Sequence, residues 1–244
     1  MIRSSLDNDI ATITLARPEK KNALTPAMLA DLRLAIAAID PAAKVVLVCG
    51  EGDAFCAGFD LSLCRENSDA LRELLTGLSA AIAALRAIAV PVVMSVHGAA
   101  IAGGCALLGG GDIVITHADC KLGYPVVKLG ISPAVSMPFL MPAVGPAAAR
   151  ARALDSALIS GTEAHRIGLA HECLAEPREV LPRARVIAAE FAAKPSVGLR
   201  VTKAWMNELD STADAARTSR GLNTSLALVG SPEERERLTQ LWTR

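Results

Sequence analysis

The fold of this chain is decided by one stretch, Val90-Pro-Val-Val-Met-Ser-Val-His-Gly-Ala-Ala-Ile-Ala-Gly-Gly-Cys-Ala-Leu-Leu-Gly-Gly-Gly-Asp-Ile-Val-Ile115. Residues 92–96 are mostly β-branched or apolar, which favours a buried strand, and His97-Gly98 marks a turn. Ala102-Gly103-Gly104 then leads into a helix of small residues, and a second strand is predicted over residues 113–116. The first N–H groups of a helix have no intrahelical acceptor, so the glycine pair predicts a backbone site for an anion or a developing oxyanion.

Strands and helices alternate upstream of this stretch. Residues 6–15 predict a β-hairpin, and the continuous apolar run 45–49 predicts a strand buried on both faces. Thr25-Pro26 has the residue types of a helix N-cap and first turn, and a long amphipathic helix is predicted to start at Ser68 or Asp69. This alternation favours crossover connections and a parallel sheet.

Downstream of about Val144 the strand signals fade and helical patterns dominate. Ser231-Pro232, followed by two glutamates, is a complete helix start. We therefore expect an α/β core over residues 1–190 and a helical region over residues 191–244. The predicted helical segments of this part cover residues 146–154, 163–167, 180–191, 196–209 and 212–228.

Composition excludes several classes of protein. The 244 residues include 25 basic and 25 acidic side chains, so bulk charge attracts neither nucleic acid nor an anionic membrane. The six cysteines form no Cys-x-x-Cys pair, which argues against a zinc site or a disulfide framework and favours a cytoplasmic location. The apolar run 87–111 is interrupted by Pro91, His97 and several glycines, so we do not expect it to span a membrane.

Four segments, in order along the chain, resemble the enoyl-CoA hydratase/isomerase, or crotonase, superfamily. Together with residues 158–170 they cover nearly the whole sequence. The resemblance implies a crotonase-like spiral of ββα units with a C-terminal helical region that mediates trimerisation, as a homotrimer or a dimer of trimers. It also implies an acyl-CoA ligand, with coenzyme A as part of the substrate and no covalently bound cofactor. The segments are Ile13-Thr-Leu-Ala-Arg-Pro-Glu-Lys-Lys-Asn-Ala-Leu24, Ala54-Phe-Cys-Ala-Gly-Phe-Asp-Leu61, His97-Gly-Ala-Ala-Ile-Ala-Gly-Gly-Cys105 with Asp112-Ile-Val-Ile115, and Leu122-Gly-Tyr-Pro-Val-Val-Lys-Leu-Gly-Ile-Ser-Pro133.

The same resemblance implies a site built largely from backbone. Two amide groups, carried over to Ala57 and Gly103, hold the thioester oxygen while negative charge develops on it. Lys21 and Ala23 are carried over as contacts near the pantetheine and phosphates. The remaining substrate-binding positions are Gly58, Phe59, Asp60, Leu61, Ala102, Gly104, Ala106, Pro125, Val126 and Leu129.

The sequence departs from the family where the acid and base are expected. Hydratases of the family have glutamates at the positions of Ala106 and Val126, and isomerases have the second of these or a carboxylate near Ala134. All three positions are apolar here. A general acid or base contributes roughly 10²–10⁴-fold to a rate, so ordinary fast hydration is not expected.

A replacement group would have to come from elsewhere, and Tyr124 is the candidate that we carry forward as a speculative proton donor. Packing or capping is the favoured interpretation of the other polar candidates, which are His97, Cys105, Asp60, Asp112, Glu66 and Asp69.

Three functions remain open. The first is an acyl-CoA enzyme that stabilises a thioester enolate, with weak or relocated acid–base chemistry. Within this class, decarboxylation of a malonyl-type thioester generates an enolate without a base. The second is a non-catalytic acyl-CoA-binding protein, and the third, a scaffold without CoA binding, fits poorly with the retained Lys21 and glycine segments.

Overall fold

A six-stranded sheet forms the body of the molecule in the computed structural model, which describes residues 1–67 and 69–242. Its strands are β1 (Ile2–Asp7), β2 (Ile10–Leu15), β3 (Val45–Gly50), β4 (Val92–Ser95), β6 (Ile113–His117) and β9 (Glu172–Leu174). They lie in the order β1-β2-β3-β4-β6-β9; the first two strands are antiparallel and the other neighbours are parallel.

A second sheet, of three strands, completes the spiral of ββα units. It contains β5 (Ala99–Ile101), β7 (Lys121–Gly123) and β8 (Ile159–Ser160), in the order β5-β7-β8. The α-helices of the described chain are α1 (Pro26–Ala37), α2 (Leu63–Glu66), α3 (Ala70–Arg86), α4 (Gly103–Leu107), α5 (Met137–Leu154), α6 (Gly161–Arg166), α7 (Pro177–Ala192), α8 (Ser196–Leu209), α9 (Ala215–Leu226) and α10 (Pro232–Trp242).

Both faces of the main sheet are covered by helices. On one face, α1 and α3 pack their apolar stripes against alternate residues of β2, β3 and β4. On the other face, Val180, Ala184 and Ile187 of α7 pack against residues such as Val45 and Val93. Because helices cover both faces of this parallel sheet, the central strands are buried on both sides and their sequences are continuous apolar runs.

The predicted helix starts agree with the structure. The Thr25 hydroxyl accepts a hydrogen bond from the Met28 amide at 3.0 Å, and Ser231 accepts one from the Glu234 amide at 3.2 Å. Helix α3 begins at Ala70, directly after Asp69. The alternative start at Ser68 lies outside the described residues.

Helices dominate beyond about Val144, as the fading strand signals indicate, but two strands that the sequence did not predict also lie there. Strand β9 extends the main sheet, pairing Ile115 with Glu172, and β8 pairs with β7. Strand β5 also lies between the turn at His97-Gly98 and the helix, where the sequence predicted no strand. Strands of two or three residues are too short to show an alternating pattern, so only their partners reveal them.

The described part of the chain has no helix that is both long and apolar enough to cross a membrane. All six cysteines are free thiols.

Candidate active site

A strained turn positions the start of α4. Ala102 has φ +52° and ψ −113°, a combination that glycine normally adopts, and its amide donates to the Gly123 carbonyl at 2.8 Å. Ala102 therefore reverses the chain between β5 and α4. Gly103 becomes the first residue of the helix, where its amide has no intrahelical acceptor.

A small cavity of about 20 Å³ lies against this helix start. It brings together residues that lie far apart in the sequence, among them Phe59, Gly103 and Val126. No carboxylate is among its lining residues in the described chain, and its polar lining comes from tyrosine and serine. The lining residues are Phe59, Leu75, Leu78, Ala102, Gly103, Ala106, Tyr124, Val126, Ile131, Ser132, Pro133, Val135 and Ser136.

The amide predicted as the second oxyanion donor is already engaged. Ala57 donates its N–H to the Lys21 carbonyl at 2.9 Å. The flanking Cys56 is fixed as well, since its amide donates to the Ala99 carbonyl at 3.0 Å. The prediction that Ala57 holds the thioester oxygen therefore does not fit this structure, because its only backbone donor stabilises the loop.

The amide of Phe59, two residues further along the chain, is free of backbone partners instead. Leu24 donates to the Gly58 carbonyl at 2.7 Å and accepts from the Asp60 amide at 2.9 Å, so this parallel bridge uses the groups on either side of Phe59. In the described chain no backbone carbonyl accepts from the Phe59 or Gly103 amide. The two residues are in contact, since a Cβ added at Gly103 would lie 3.0 Å from Phe59 Cε1.

Sequence reasoning named Phe59 only as part of the ligand-binding wall. The donor pattern depends on the register of the Leu24–Phe59 bridge, and that pairing joins segments about 35 residues apart, which gives no local signal.

Beside this cavity, Arg17 organises the segment expected to contact coenzyme A. Its guanidinium donates to the Asp60 carboxylate at 2.8 Å and to the Ala23 carbonyl at 2.9 Å. Burial raises the pKa of the Asp60 carboxyl, but hydrogen bonds from Ser62 and Arg17 outweigh it and leave the pKa below its ordinary value. Lys21 is exposed, and among the described residues no carboxylate pairs with it. Lys21 is thus available to an anionic ligand, whereas Asp60 and the Ala23 carbonyl are occupied.

Tyr124 is buried rather than placed at the cavity rim. Its hydroxyl donates to the Cys105 carbonyl at 3.4 Å, and burial raises the phenol pKa well above its ordinary value. A phenol with a raised pKa stays protonated near neutral pH and is a weaker proton donor than an ordinary tyrosine. The speculative role of Tyr124 as a proton donor is therefore disfavoured.

The other polar candidates have structural partners. Cys105 is a core residue, and its burial raises the pKa of the thiol to about 12. A His97 ring nitrogen lies 2.8 Å from the Gly52 carbonyl. Asp112 accepts from the Val92 amide at 2.7 Å, as predicted, and also pairs with Lys203 and Arg86.

The remaining predicted positions support the site from outside the cavity. Gly58 has φ +99°, and Gly104 lies so close to the Cys56 carbonyl that a Cβ there would be 2.3 Å from its oxygen. Pro125 and Leu129 bound a 3₁₀ turn that carries Val126 to the cavity. Leu61 is half-buried beside Asp60 and does not line the cavity.

The ββα spiral around the start of α4 is the crotonase fold. A family model described as "Enoyl-CoA hydratase/isomerase" matches residues 5–234. The chain belongs to this family.

Known relatives agree with this assignment. The chain is 32% identical to crotonyl-CoA hydratase of Syntrophomonas wolfei over 83% of this chain and 79% of that protein. It is 31% identical to 1,2-epoxyphenylacetyl-CoA isomerase of Escherichia coli over 88% of this chain and 87% of that protein. The solved structure of an enoyl-CoA hydratase/isomerase from Xanthobacter autotrophicus superposes with a TM-score of 0.88 at 28% identity, over 98% of this chain and 91% of that one. These names place the chain among enzymes, the first of the three functions that the sequence left open.

Proposed function

We propose that this protein binds acyl-CoA thioesters and stabilises a thioester enolate through the backbone amides of Gly103 and Phe59. The observation that carries the proposal is the pair of unengaged amides beside one small cavity. Two preorganised donors suffice to stabilise an oxyanion without any side chain, and losing one such donor costs about 3 kcal/mol in a transition state.

The apolar lining of the small cavity bears on which reaction the stabilised enolate takes part in. With Ala106 and Val126 at the glutamate positions, the described lining of the cavity offers no carboxylate to move a proton between water and the substrate. A reaction that forms the enolate by losing CO₂ needs no base, because the electrons of the breaking C–C bond remain on the α-carbon. Decarboxylation of a malonyl-type thioester is therefore the reaction that this cavity supports best, with weak hydratase or isomerase activity as its background.

The first experiment separates catalysis from binding. Calorimetric titrations with acetyl-CoA and crotonyl-CoA would run beside turnover assays on crotonyl-CoA and methylmalonyl-CoA. We expect binding of both thioesters and faster turnover of methylmalonyl-CoA. Tight binding without turnover of either substrate would establish the non-catalytic alternative, and the absence of any binding would refute the proposal.

The second experiment restores the missing carboxylates. The double variant Ala106→Glu, Val126→Glu is expected to hydrate crotonyl-CoA at least about 100-fold faster than the unmodified protein, since a general acid or base contributes roughly 10²–10⁴-fold. The matched control is Ala106→Gln, Val126→Gln, which adds the same bulk without an ionisable group. Equal rates in the two folded double variants would contradict the proposed oxyanion site.

We also propose that the chain assembles as a homotrimer or a dimer of trimers through its C-terminal region. Val197, Val201, Trp205 and Leu209 recur every four residues on α8 and are exposed, Val197 to 74%. Such a stripe on one face of a helix is typical of a surface that packs against another helix. Analytical ultracentrifugation is expected to show the oligomer for the unmodified protein and dissociation for Val201→Glu; a monomeric unmodified protein would refute it.

A further inference from the structure

One buried serine beside the small cavity has a hydroxyl without a partner. Ser136 is 3% exposed, and its hydroxyl makes no hydrogen bond within the part of the chain that the structure describes. Burying a hydroxyl without a hydrogen bond is unfavourable, and native proteins contain few such groups. Folding alone therefore does not explain a serine at this position.

The other polar side chains of the small cavity are already engaged. Tyr124 donates its hydroxyl hydrogen to the Cys105 carbonyl at 3.4 Å, and the Ser132 hydroxyl accepts from the Ala134 amide at 3.2 Å. No lysine, arginine or histidine is among the lining residues in the described chain. Among the polar lining side chains that the structure describes, the unengaged hydroxyl belongs to Ser136.

Helix α9 holds the segment that carries Ser136. Ser136 ends the 3₁₀ turn Pro133–Ser136 and directly precedes α5. The Ser225 hydroxyl of α9 donates to the Ser132 carbonyl at 2.9 Å and accepts from the Val135 amide at 3.1 Å. These two hydrogen bonds fix the backbone just before Ser136, so its hydroxyl is positioned before any ligand binds.

Ser136 belongs to the same wall as Ala106. These two residues and Tyr124 line both the small cavity and a larger one of about 420 Å³ beneath α8, so they lie between the two. Ala106 follows Gly103 by three residues in α4, which is about 4.5 Å along the helix axis. A thioester oxygen held at the Gly103 amide therefore leaves the α-carbon and its substituents on the side of Ala106 and Ser136.

The surroundings of this hydroxyl favour a compact anionic substituent. The small cavity, at about 20 Å³, limits the group that meets the hydroxyl to about the size of one water, which needs roughly 10–15 Å³. A carboxylate oxygen has this size and accepts a hydrogen bond from a hydroxyl. Since no cation is among the described lining residues, the hydroxyl orients the carboxylate without neutralising it.

We infer that Ser136 is the specificity-determining residue of the proposed decarboxylation, because its hydroxyl donates a hydrogen bond to the carboxylate of a malonyl-type thioester. The inference rests on the proposed function, which places the thioester oxygen at the Gly103 amide. The bond between the α-carbon and the carboxylate carbon breaks, its electron pair passes into the enolate, and CO₂ leaves. Water then supplies the proton that the α-carbon takes up.

The experiment measures Ser136→Ala and the unmodified protein with two thioesters that differ by one carboxylate. Turnover of methylmalonyl-CoA gives kcat/KM, and calorimetry gives the Kd of propanoyl-CoA, which has no carboxylate. In Ser136→Ala, kcat/KM should fall roughly 10- to 100-fold, the effect of losing one hydrogen bond to a charged group. The Kd of propanoyl-CoA should stay within about twofold, because that ligand does not use the hydroxyl.

Ser95→Ala is the matched control. Ser95 is also buried with an unpartnered hydroxyl, but it lines neither of the two cavities, so this variant should keep kcat/KM within about twofold. Ser136→Thr keeps a hydroxyl and should retain most of the turnover. The urea midpoint of each variant shows whether it folds. If Ser136→Ala does not fold, Ser136→Cys gives the same comparison, since a thiol is a weak donor of similar size.

The outcomes separate this inference from the proposed function. Turnover of methylmalonyl-CoA that Ser136→Ala leaves unchanged would refute the role of Ser136 and leave the oxyanion site and the decarboxylation intact. An equal loss of propanoyl-CoA affinity, or an equal loss of turnover in Ser95→Ala, would also refute it. No turnover of methylmalonyl-CoA by the unmodified protein would overturn the proposed decarboxylation and this inference together. A selective loss of turnover in Ser136→Ala that Ser136→Thr does not share would establish the role of the hydroxyl.

Discussion

Replacing Asp112 with asparagine tests what holds α8 above the sheet. The carboxylate pairs with Lys203, whose side chain is 8% exposed, and with Arg86, whose side chain is 14% exposed. It also accepts the first amide of β4, from Val92, at 2.7 Å. Asparagine keeps the shape of the side chain but removes the negative charge from between two buried cations.

The expected loss follows from this geometry. Removing one partner of a buried ion pair typically costs 3–5 kcal/mol, because the remaining charge stays desolvated without compensation. Since Asp112 is 22% exposed and one amide hydrogen bond survives in the variant, we expect a loss near the lower limit, about 3 kcal/mol. That is a large fraction of the 5–15 kcal/mol by which native proteins are stable.

The assay is equilibrium unfolding in urea, followed by far-ultraviolet circular dichroism at one fixed protein concentration. The control is Glu163→Gln, which breaks an exposed ion pair with Arg166 and should leave the midpoint unchanged. The double variant Asp112→Asn, Lys203→Met should regain part of the loss, since it removes the unpaired charge. A loss below 1 kcal/mol for Asp112→Asn would refute the reasoning.

The pH dependence of this variant provides an independent check. Burial lowers the pKa of Lys203, although Asp112 opposes the shift. Between the lowered pKa of the folded state and the unfolded lysine pKa of about 10.4, the folded state binds fewer protons than the unfolded state, so stability rises with pH within that window. Removing Asp112 enlarges the shift, and the stability gap between the variant and the unmodified protein should therefore narrow between pH 7 and pH 9.5.

Three further predictions concern the backbone and the histidines. Gly104→Ala should lower the free energy of unfolding in urea by about 3 kcal/mol, because the added Cβ would lie 2.3 Å from a carbonyl oxygen. The control is Gly198→Ala, which should not destabilise the protein because its Cβ would meet no atom within 4 Å. Ala102→Gly should raise the unfolding free energy by about 1 kcal/mol by relieving the turn at φ +52°; an unchanged midpoint would show that no strain is stored there. Burial lowers the pKa of His117 and of His171, and each ring accepts a hydrogen bond from a backbone N–H. As the pH falls below about 6.5, the unfolded state therefore takes up protons before the folded state does, and the free energy of unfolding decreases. Unfolding at pH 7.5 and 5.5 checks this, and the double variant His117→Gln, His171→Gln should show a smaller loss on acidification.

Local sequence patterns accounted for the long elements. The apolar runs at residues 45–49 and 92–96, the Thr25 cap and the Ser231 cap all predict elements that the structure contains. These features succeed because they depend on neighbours in the chain or on burial of a whole strand. Strands β5, β8 and β9 did not show in the sequence, because each is stable only through its pairing with a distant strand.

The candidate site also has some features that the sequence determined and others that only the tertiary structure decided. By itself the sequence determined the glycine pair that opens α4 and the apolar side chains of Ala106 and Val126, since both are matters of residue type. Tertiary structure decided which amides are free, because the carbonyl of Lys21 engages the Ala57 amide and the register with Leu24 leaves the Phe59 amide without a backbone acceptor among the described residues. It also decided that a large cavity lies behind Ala106, because that space exists only where α5, α7 and α8 meet above the sheet.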